Sequence, residues 1–308
     1  MGSGGVVLEA EGIGRRFGAR VAVEELTFRA AGGEVLGLLG PNGAGKTTTL
    51  RMLAGLLHPS HGRVLLDGRD LAGSDAGVRR PLAYLPEQVA PYEEMTVAGY
   101  LRYLVRLWGT RGAAARTAAD RAMDEVGITD VAGRVIGTLS HGYRQRVGIA
   151  GALAHDPLVL LLDEPTSSLD PRQVVEARRL LQRLGRTRLV VLSTHLLPEA
   201  AQVCDRVLVI HHGRQVALGP PADLDAGGPA VVVVARAPAE ALAACLRAVP
   251  GVDSVEVEHD GAASRARVRT TADCRAALAA AVVGAGWDLV ELTQATAGLE
   301  DAFLALTD

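Results

Sequence analysis

The chain has 308 residues, 48% of them hydrophobic, 22% charged and only 3% aromatic, with a formal net charge of −3. These proportions exclude long disorder and collagen-like repeats, and the length suits about two domains with cores built from Leu, Val, Ile and Ala. No apolar run approaches the roughly 18–20 residues needed to cross a bilayer, the first residues lack the basic and apolar regions of a secretion signal, and the three cysteines (Cys204, Cys245 and Cys274) match no metal spacing and fit a reducing cytoplasm.

In chain order, apolar and polar residues alternate over Val6–Glu11 and Val21–Phe28, which predicts strands of an antiparallel edge. Glu34–Leu39 is a short, almost continuous apolar run suited to a strand buried on both faces. A glycine-rich turn follows, and Thr47–Leu57 has helical spacing. The stretch Thr96–Gly127 is Ala-rich, with Leu101, Leu104, Val105 and Trp108 three and four apart, and reads as mostly helical. Further buried strands are expected at Val159–Leu162, Leu189–Ser193 and Arg206–Ile210, with a helix over Pro171–Leu184. Strands alternating with helices predict a mostly parallel sheet with helices on its faces.

Turn formers cluster at Gly219-Pro220-Pro221, and charge changes sign there. Residues 1–220 hold 26 basic and 22 acidic side chains; residues 221–308 hold 6 basic and 13 acidic. The acidic second part is not expected to bind nucleic acid. Its pattern predicts strand (Ala230–Arg236), helix (Pro238–Ala248), strands (Val252–Glu258 and Arg265–Thr270), helix (Ala272–Ala285) and strand (Trp287–Thr293), then a short helix over Leu299–Leu306. The order β-α-β-β-α-β is that of a split βαβ, ferredoxin-like unit.

Of the 32 basic residues one alone, Lys46, is lysine. It sits in Gly40-Pro41-Asn42-Gly43-Ala44-Gly45-Lys46-Thr47-Thr48, between a buried strand and a helix. Glycines let backbone N–H groups turn inward, and a helix N-terminus adds partial positive charge, so this loop is built to cradle phosphates. Lys46 supplies a slim ammonium that the wide guanidinium of arginine would not replace, and Thr47 offers a hydroxyl to Mg2+. The apolar run Leu158–Leu162 places Asp163 and Glu164 at a strand's C-terminal end, where open α/β sheets gather their ligands. Asp163 is the candidate Mg2+ ligand, and Glu164 the candidate base for an attacking water.

The decisive stretch is Ser140-His141-Gly142-Tyr143-Arg144-Gln145-Arg146, small residues opening a helix between these two motifs. Taken alone it is a helix cap. In this order, the set resembles the ATP-binding subunits of ABC transporters, whose LSGGQ signature completes the ATP site of a partner subunit. Here His141 and Tyr143 replace the usual Gly and Gln, while Ser140 and Gly142 are kept. The resemblance covers about residues 6–220. It implies adenine stacking for Phe17, for which a core aromatic is the plainer reading, and a D-loop role for Ser167-Ser168-Leu169-Asp170, where Asp170 equally reads as an ordinary helix cap. It implies a switch role for His195, in Ser193-Thr194-His195. The family usually has Gln after Pro86, and this chain has Glu87, a candidate metal ligand whose charge changes how ATP is sensed. Leu192–Glu199 and Leu299–Leu306 further resemble the ABC-2-type exporters, with the gliding-motility and antibiotic-efflux ATPases among them.

The resemblance implies an α/β P-loop NTPase of the ABC type: a RecA-like parallel core, an antiparallel β subdomain and a helical subdomain, plus the small α+β ferredoxin-like domain. The expected division is an ATPase domain over 1–220, with its helical part at about 90–150, and an accessory βαββαβ domain over 221–308. The implied function is ATP hydrolysis with Mg2+, in a homodimer or heterodimer of ATPase subunits that drives export through a separate integral membrane permease. The protein would then be cytoplasmic and peripheral on the inner face of the membrane. The alternatives are a soluble ABC ATPase acting on DNA or the ribosome, and a P-loop kinase or GTPase in which Ser140–Gly142 is incidental. The region around Met95-Thr96-Val97 resembles the surface that grips the membrane subunit.

Overall fold

A computed structural model describes residues 5–72, 76–167, 169–222, 230–260 and 263–295. The chain divides into two compact units, Met1–Pro221 and Ala222–Asp308.

The first unit opens with a long hairpin, β1 (Val7–Phe17) and β2 (Arg20–Ala31), whose register shifts at irregularities between Ala10 and Arg16. β3 (Val35–Leu39) is buried at every position, as a central strand covered on both faces must be. It leads into α1 (Lys46–Leu53), followed by β4 (His61–Leu66), β5 (Arg69–Asp70), α2 (Ala76–Arg79) and β6 (Leu82–Leu85). Three longer helices come next: α3 (Val97–Leu107), α4 (Gly112–Val126) and α5 (His141–Leu153), with two 3-10 turns at Thr129–Val131 and Ile136–Thr138. The chain then alternates through β7 (Val159–Leu162), α6 (Pro171–Gly185), β8 (Leu189–Thr194), α7 (Leu197–Val203), β9 (Arg206–His211) and β10 (Arg214–Gly219).

These strands form one ten-stranded sheet in the order β5-β4-β1-β2-β10-β9-β3-β8-β7-β6. The run β9-β3-β8-β7-β6 is parallel, with Leu36 opposite Val191 and Leu160 opposite Val190. β5, β4, β1 and β2 pair antiparallel, and β10 joins the two halves, antiparallel to β9 and linked to β2 at Arg214 and Glu25. The parallel core and antiparallel edge are those expected from the sequence, whereas β4, β5, β6 and β10 lie outside the strands read from it. β6 is four residues between Pro81 and Pro86, too short to show a period, and β10 is only partly buried along its length.

The core forms where alternate residues of the central strands meet α1: Leu36 and Leu38, Val159 and Leu161, Val191, Leu208 and Ile210, against Leu50, Met52 and Leu53. Eight residues are too few for a stable isolated helix. α1 persists because Leu50 and Leu53 are fully buried, each burial stabilising by about 1.5–3 kcal/mol. It ends at Leu53, short of the expected Leu57, because Gly55 enters the left-handed region (φ +66°) and turns the chain out of the helix. In the helical part, Ala115, Ala119 and Ala122 on one stripe of α4 are fully buried, so small side chains permit close packing there.

The second unit contains β11 (Ala230–Ala235), α8 (Ala239–Arg247), β12 (Val252–Asp260), β13 (Ala263–Thr270), α9 (Arg275–Gly284) and β14 (Leu289–Ala295). Its antiparallel sheet has the order β12-β13-β11-β14, so the two edge strands, β12 and β14, are each reached through a helix, α8 and α9. β13 shows the cause: Ser264, Ala266, Val268 and Thr270 are buried, while Arg265, Arg267 and Arg269 point to the other face. Val231, Val233, Leu242, Leu246, Leu278 and Val282 complete this core. The expected helix over Leu299–Leu306 lies outside the described residues.

Candidate active site

Three strand ends of the parallel sheet converge on one pocket. From β3, the loop Gly40–Gly45 runs into α1, whose N-cap Gly45 has φ +108°. A Cβ there would lie 2.6 Å from the Ala22 carbonyl oxygen, so both the conformation and the close approach of β2 require glycine. Lys46 is buried, and its Nζ donates to the carbonyls of Gly40 (2.7 Å) and Pro41 (3.3 Å). The same ammonium is 3.3 Å from Glu164 Oε1, a pair almost wholly out of solvent.

From β7, Asp163 and Glu164 follow four buried apolar residues. Asp163 Oδ1 accepts from Ser193 Oγ (2.6 Å) and Thr47 Oγ1 (3.1 Å), and its Oδ2 accepts from Tyr84 OH (3.4 Å). Burial holds the Tyr84 phenol above its ordinary value, with the Asp163 charge adding to the rise and Arg51 opposing it. Tyr84 therefore stays a proton donor to Asp163. Glu164 has φ +46°, a left-handed conformation that a non-glycine residue holds at a cost of about 1–3 kcal/mol. Two bonds support the turn: Glu164 N–H donates to Ser193 Oγ (2.9 Å), and Gln145 Nε2 donates to the Pro165 carbonyl (3.1 Å). The reversed backbone leaves one carboxylate oxygen on Lys46 and the other on His195 Nδ1, at 2.9 Å. His195 comes from the end of β8 and is itself partly exposed.

The pocket above these groups has a volume of about 410 Å3. Of the residues expected from the sequence, Phe17, Asn42, Gly43, Gly45, Lys46, Thr47, Thr48, Glu87, Glu164 and His195 line it. Phe17 is 48% exposed, which removes the core-aromatic reading, and the Arg15 guanidinium lies 4.8 Å from its ring centre. Gly40 and Pro41 act through the carbonyls that hold Lys46; Ala44 is buried, its carbonyl accepting from Gly213 N–H at 3.0 Å. Asp163 sits behind Thr47.

A second group stays apart from this pocket. Ser140 caps α5, its Oγ accepting from Tyr143 N–H at 3.4 Å, and neither it nor His141 nor Gly142 lines the 410 Å3 cavity. His141 instead lines a separate cavity of about 320 Å3, which Glu87 and Ser167 also border. Asp170 caps α6, with Oδ1 accepting from Arg172 and Gln173 N–H at 3.0 Å, and it too lies outside the larger pocket. Ser168 is outside the described residues. Within one chain, the glycine-rich loop, the strand-end acids and His195 are therefore assembled, while Ser140 and His141 are exposed outside their pocket and Gly142 is buried against Gln173. The sequence reading missed Tyr84, Ser193 and Arg20, the last of which lines the pocket one turn after Phe17. A hydroxyl beside an otherwise apolar strand was the available signal for Ser193.

A family profile described as ABC transporter matches residues 23–167. The chain is 37% identical over 215 residues to the Nod factor export ATP-binding protein I of Burkholderia lata, covering 70% of this chain and 71% of that one. This chain belongs to the ATP-binding proteins of ABC transporters. Other members of the family include the linearmycin resistance ATP-binding protein LnrL of Bacillus subtilis, 31% identical over 257 residues and 82% of each chain. The probable multidrug ABC transporter ATP-binding protein YbhF of Escherichia coli is 37% identical over 226 residues, 72% of this chain, and the match spans only 39% of YbhF. Among solved ABC structures, cbiO1 of Clostridium perfringens, part of the cbiONQ transporter complex, superposes with a TM-score of 0.64 at 29% identity, over 71% of this chain and 90% of that one. The ABC domain of this chain thus carries the P-loop fold of an ATP-binding subunit. No helix among its described residues is long and apolar enough to cross a membrane.

Proposed function

We propose that this chain is the ATP-hydrolysing subunit of an exporter, working as a dimer against a separate membrane permease. The observation that carries the chemistry is the convergence of Lys46 and His195 on the Glu164 carboxylate beneath the glycine-rich loop. In this reading residues 1–220 are the ATPase domain and 221–308 an accessory domain.

Lys46 is oriented by two carbonyls and faces the pocket, so a phosphate oxygen arriving there competes with Glu164 for the ammonium. Turning Lys46 toward phosphate releases one oxygen of Glu164, which then accepts the proton of the attacking water. His195, on the other oxygen, keeps that carboxylate aimed. Asn42, Gly43 and Gly45 to Thr48 line the pocket with backbone N–H groups, and Phe17 offers a ring face there for the base. Thr47 and Asp163 place a hydroxyl and a carboxylate side by side, and Glu87 adds a second carboxylate at the rim; few protein oxygens and an open face suit Mg2+. When bound, Mg2+ would neutralise charge on the transferring phosphate.

The separate placement of Ser140, His141 and Gly142 supports the dimer. A capped helix N-terminus outside its own chain's pocket is available to a nucleotide held by a second subunit, and Asp170 begins the next helix beside it, with Gly142 close against Gln173. An apolar groove of about 580 Å3, which Val89, Tyr100, Leu104 and Trp108 help to line, supports docking of the permease. Such a subunit would sit peripherally on the inner face of the membrane. The exporter reading follows the names of the relatives, which do not favour a soluble ATPase acting on DNA or the ribosome.

The test is Glu164→Gln in the full chain. It is expected to bind ATP, to lose about 10^2–10^4-fold in kcat and to accumulate as an ATP-bound dimer in size-exclusion chromatography. Hydrolysis at the parental rate would remove Glu164 as the base; a variant that stays monomeric with ATP would remove the ATP-bound dimer.

A further inference from the structure

Glu199 is a buried carboxylate that the proposed chemistry does not use. It lies in the first turn of α7, 2% exposed. Each of its oxygens takes one hydroxyl. Thr166 donates to Oε1, and Thr194 donates to Oε2 at 2.7 Å. Thr166 is two residues beyond Glu164, and Thr194 immediately precedes His195. Both threonines are themselves buried. Thr194 also accepts from Leu196 N–H at 3.0 Å, so its hydroxyl is tied on both sides of His195.

We propose that Glu199 is a positioning residue for the ATPase reaction: its carboxylate pins the segment carrying Glu164 to the segment carrying His195 and so sets the Glu164–His195 contact. Burying an ionisable carboxylate is costly, and an apolar side chain would fill the same space at less cost if packing were the whole purpose. No ion pair to Glu199 occurs among the described residues, so charge neutralisation is not its purpose either. A carboxylate does offer two acceptor oxygens in one rigid plane, and charge-assisted O–H···O bonds are short and directional. The thing held is a strained one, since Glu164 keeps φ +46°. Ser193 supplies the second support, accepting from Glu164 N–H and donating to Asp163. Ser193 holds the backbone at Glu164, and Glu199 holds the chain just past it. With Gln145, which donates to the Pro165 carbonyl between them, they hold the reversed turn.

This inference rests on the ATPase reading, and the experiment separates the two. Steady-state ATP hydrolysis is measured on the full chain for Glu199→Ala, Thr194→Val and Thr194→Ser, with Glu164→Gln alongside and ATP affinity measured by calorimetry. Misplacing a reacting group by about 1 Å costs on the order of 100-fold in rate. Glu199→Ala is therefore expected to lower kcat about 100-fold with KM and ATP affinity within about twofold, because Lys46 and the glycine-rich loop are untouched. Thr194→Val, which removes one hydroxyl only, is expected to lose about tenfold in kcat, and Thr194→Ser to restore it. Should Glu199→Ala fail to fold, the threonine pair decides. Parental kcat in Thr194→Val, or no difference between the Val and Ser variants, overturns the proposal, as does a parallel loss of ATP affinity and kcat. Unchanged hydrolysis in Glu164→Gln overturns the underlying reading instead.

Discussion

In the larger unit, Lys46, Asp163, Glu164 and Glu199 are all buried, whereas among the described residues of the smaller unit the buried polar side chains are the uncharged Ser264 and Thr270. Three ion pairs among the described residues of the smaller unit lie at the surface: Arg236 with Asp288, Arg265 with Glu291 and Arg275 with Asp273 are all solvent-exposed. Buried charges are expensive and exposed pairs contribute little, so the two regions differ in what they ask of their charges. One places ions where phosphate chemistry requires them and supports them with hydroxyls. The other is held by aliphatic packing, with charge confined to its faces.

The largest effect that sharpens this contrast is expected from Lys46→Ala. It removes the ammonium that faces the phosphate position and leaves Glu164 buried with His195 alone, so ATP binding at concentrations that saturate the parent should vanish in calorimetry. Retained affinity would break the assignment of Lys46 to phosphate. Next, Leu246→Ala empties a fully buried site in the smaller unit and is expected to destabilise it by about 2–5 kcal/mol in denaturant unfolding. ATP affinity should stay at the parental value, because the loop, acids and histidine that form the pocket all belong to the larger unit; a matching loss of affinity would show that the two regions are not separable. The smallest effect is expected from Asp273→Asn. Hydrogen bonds from Arg275 pull the Asp273 carboxyl down to about 2 from an ordinary 3.8. A depressed folded-state value contributes stability that is present above the ordinary Asp value and lost as pH falls through about 2. The pair is fully exposed, so thermal unfolding at pH 7 should barely move, by about 1–2 °C at most, and the difference between variant and parent should close on acidification. A large shift at pH 7 would place the pair among interactions that hold the unit together.

Much of the fold was legible in the chain. β3, β7, β8 and β9 are short aliphatic runs whose continuity marks burial on both faces, and the six elements of the smaller unit follow from period-2 and period-3.6 patterns separated by turns. β6 and β10 were hidden because four residues between prolines, or a strand only half covered, carry no period. The end of α1 moved because Gly55 outweighed the apolar Leu56 and Leu57. Within the site, Lys46, Asp163, Glu164 and His195 could be picked out because glycine spacing and strand-end position constrain them locally. Ser193 and Tyr84 could not, since their partner Asp163 is 30 and 79 residues away in the chain, nor could Glu199, which has Thr194 five residues away but joins it to Thr166, 33 residues away.

The sequence by itself determined the phosphate loop, the strand-end acids and the alternation of strands and helices, because each depends on backbone conformation and spacing within a few residues. Only the tertiary structure decided that Lys46 and His195 meet on the same carboxylate, that Ser140 and His141 lie outside its pocket, and that a buried Glu199 takes hydroxyls from the segments carrying Glu164 and His195. Those are matters of which strand lies beside which, and neighbours in a parallel sheet are separated in sequence by the helices that connect them.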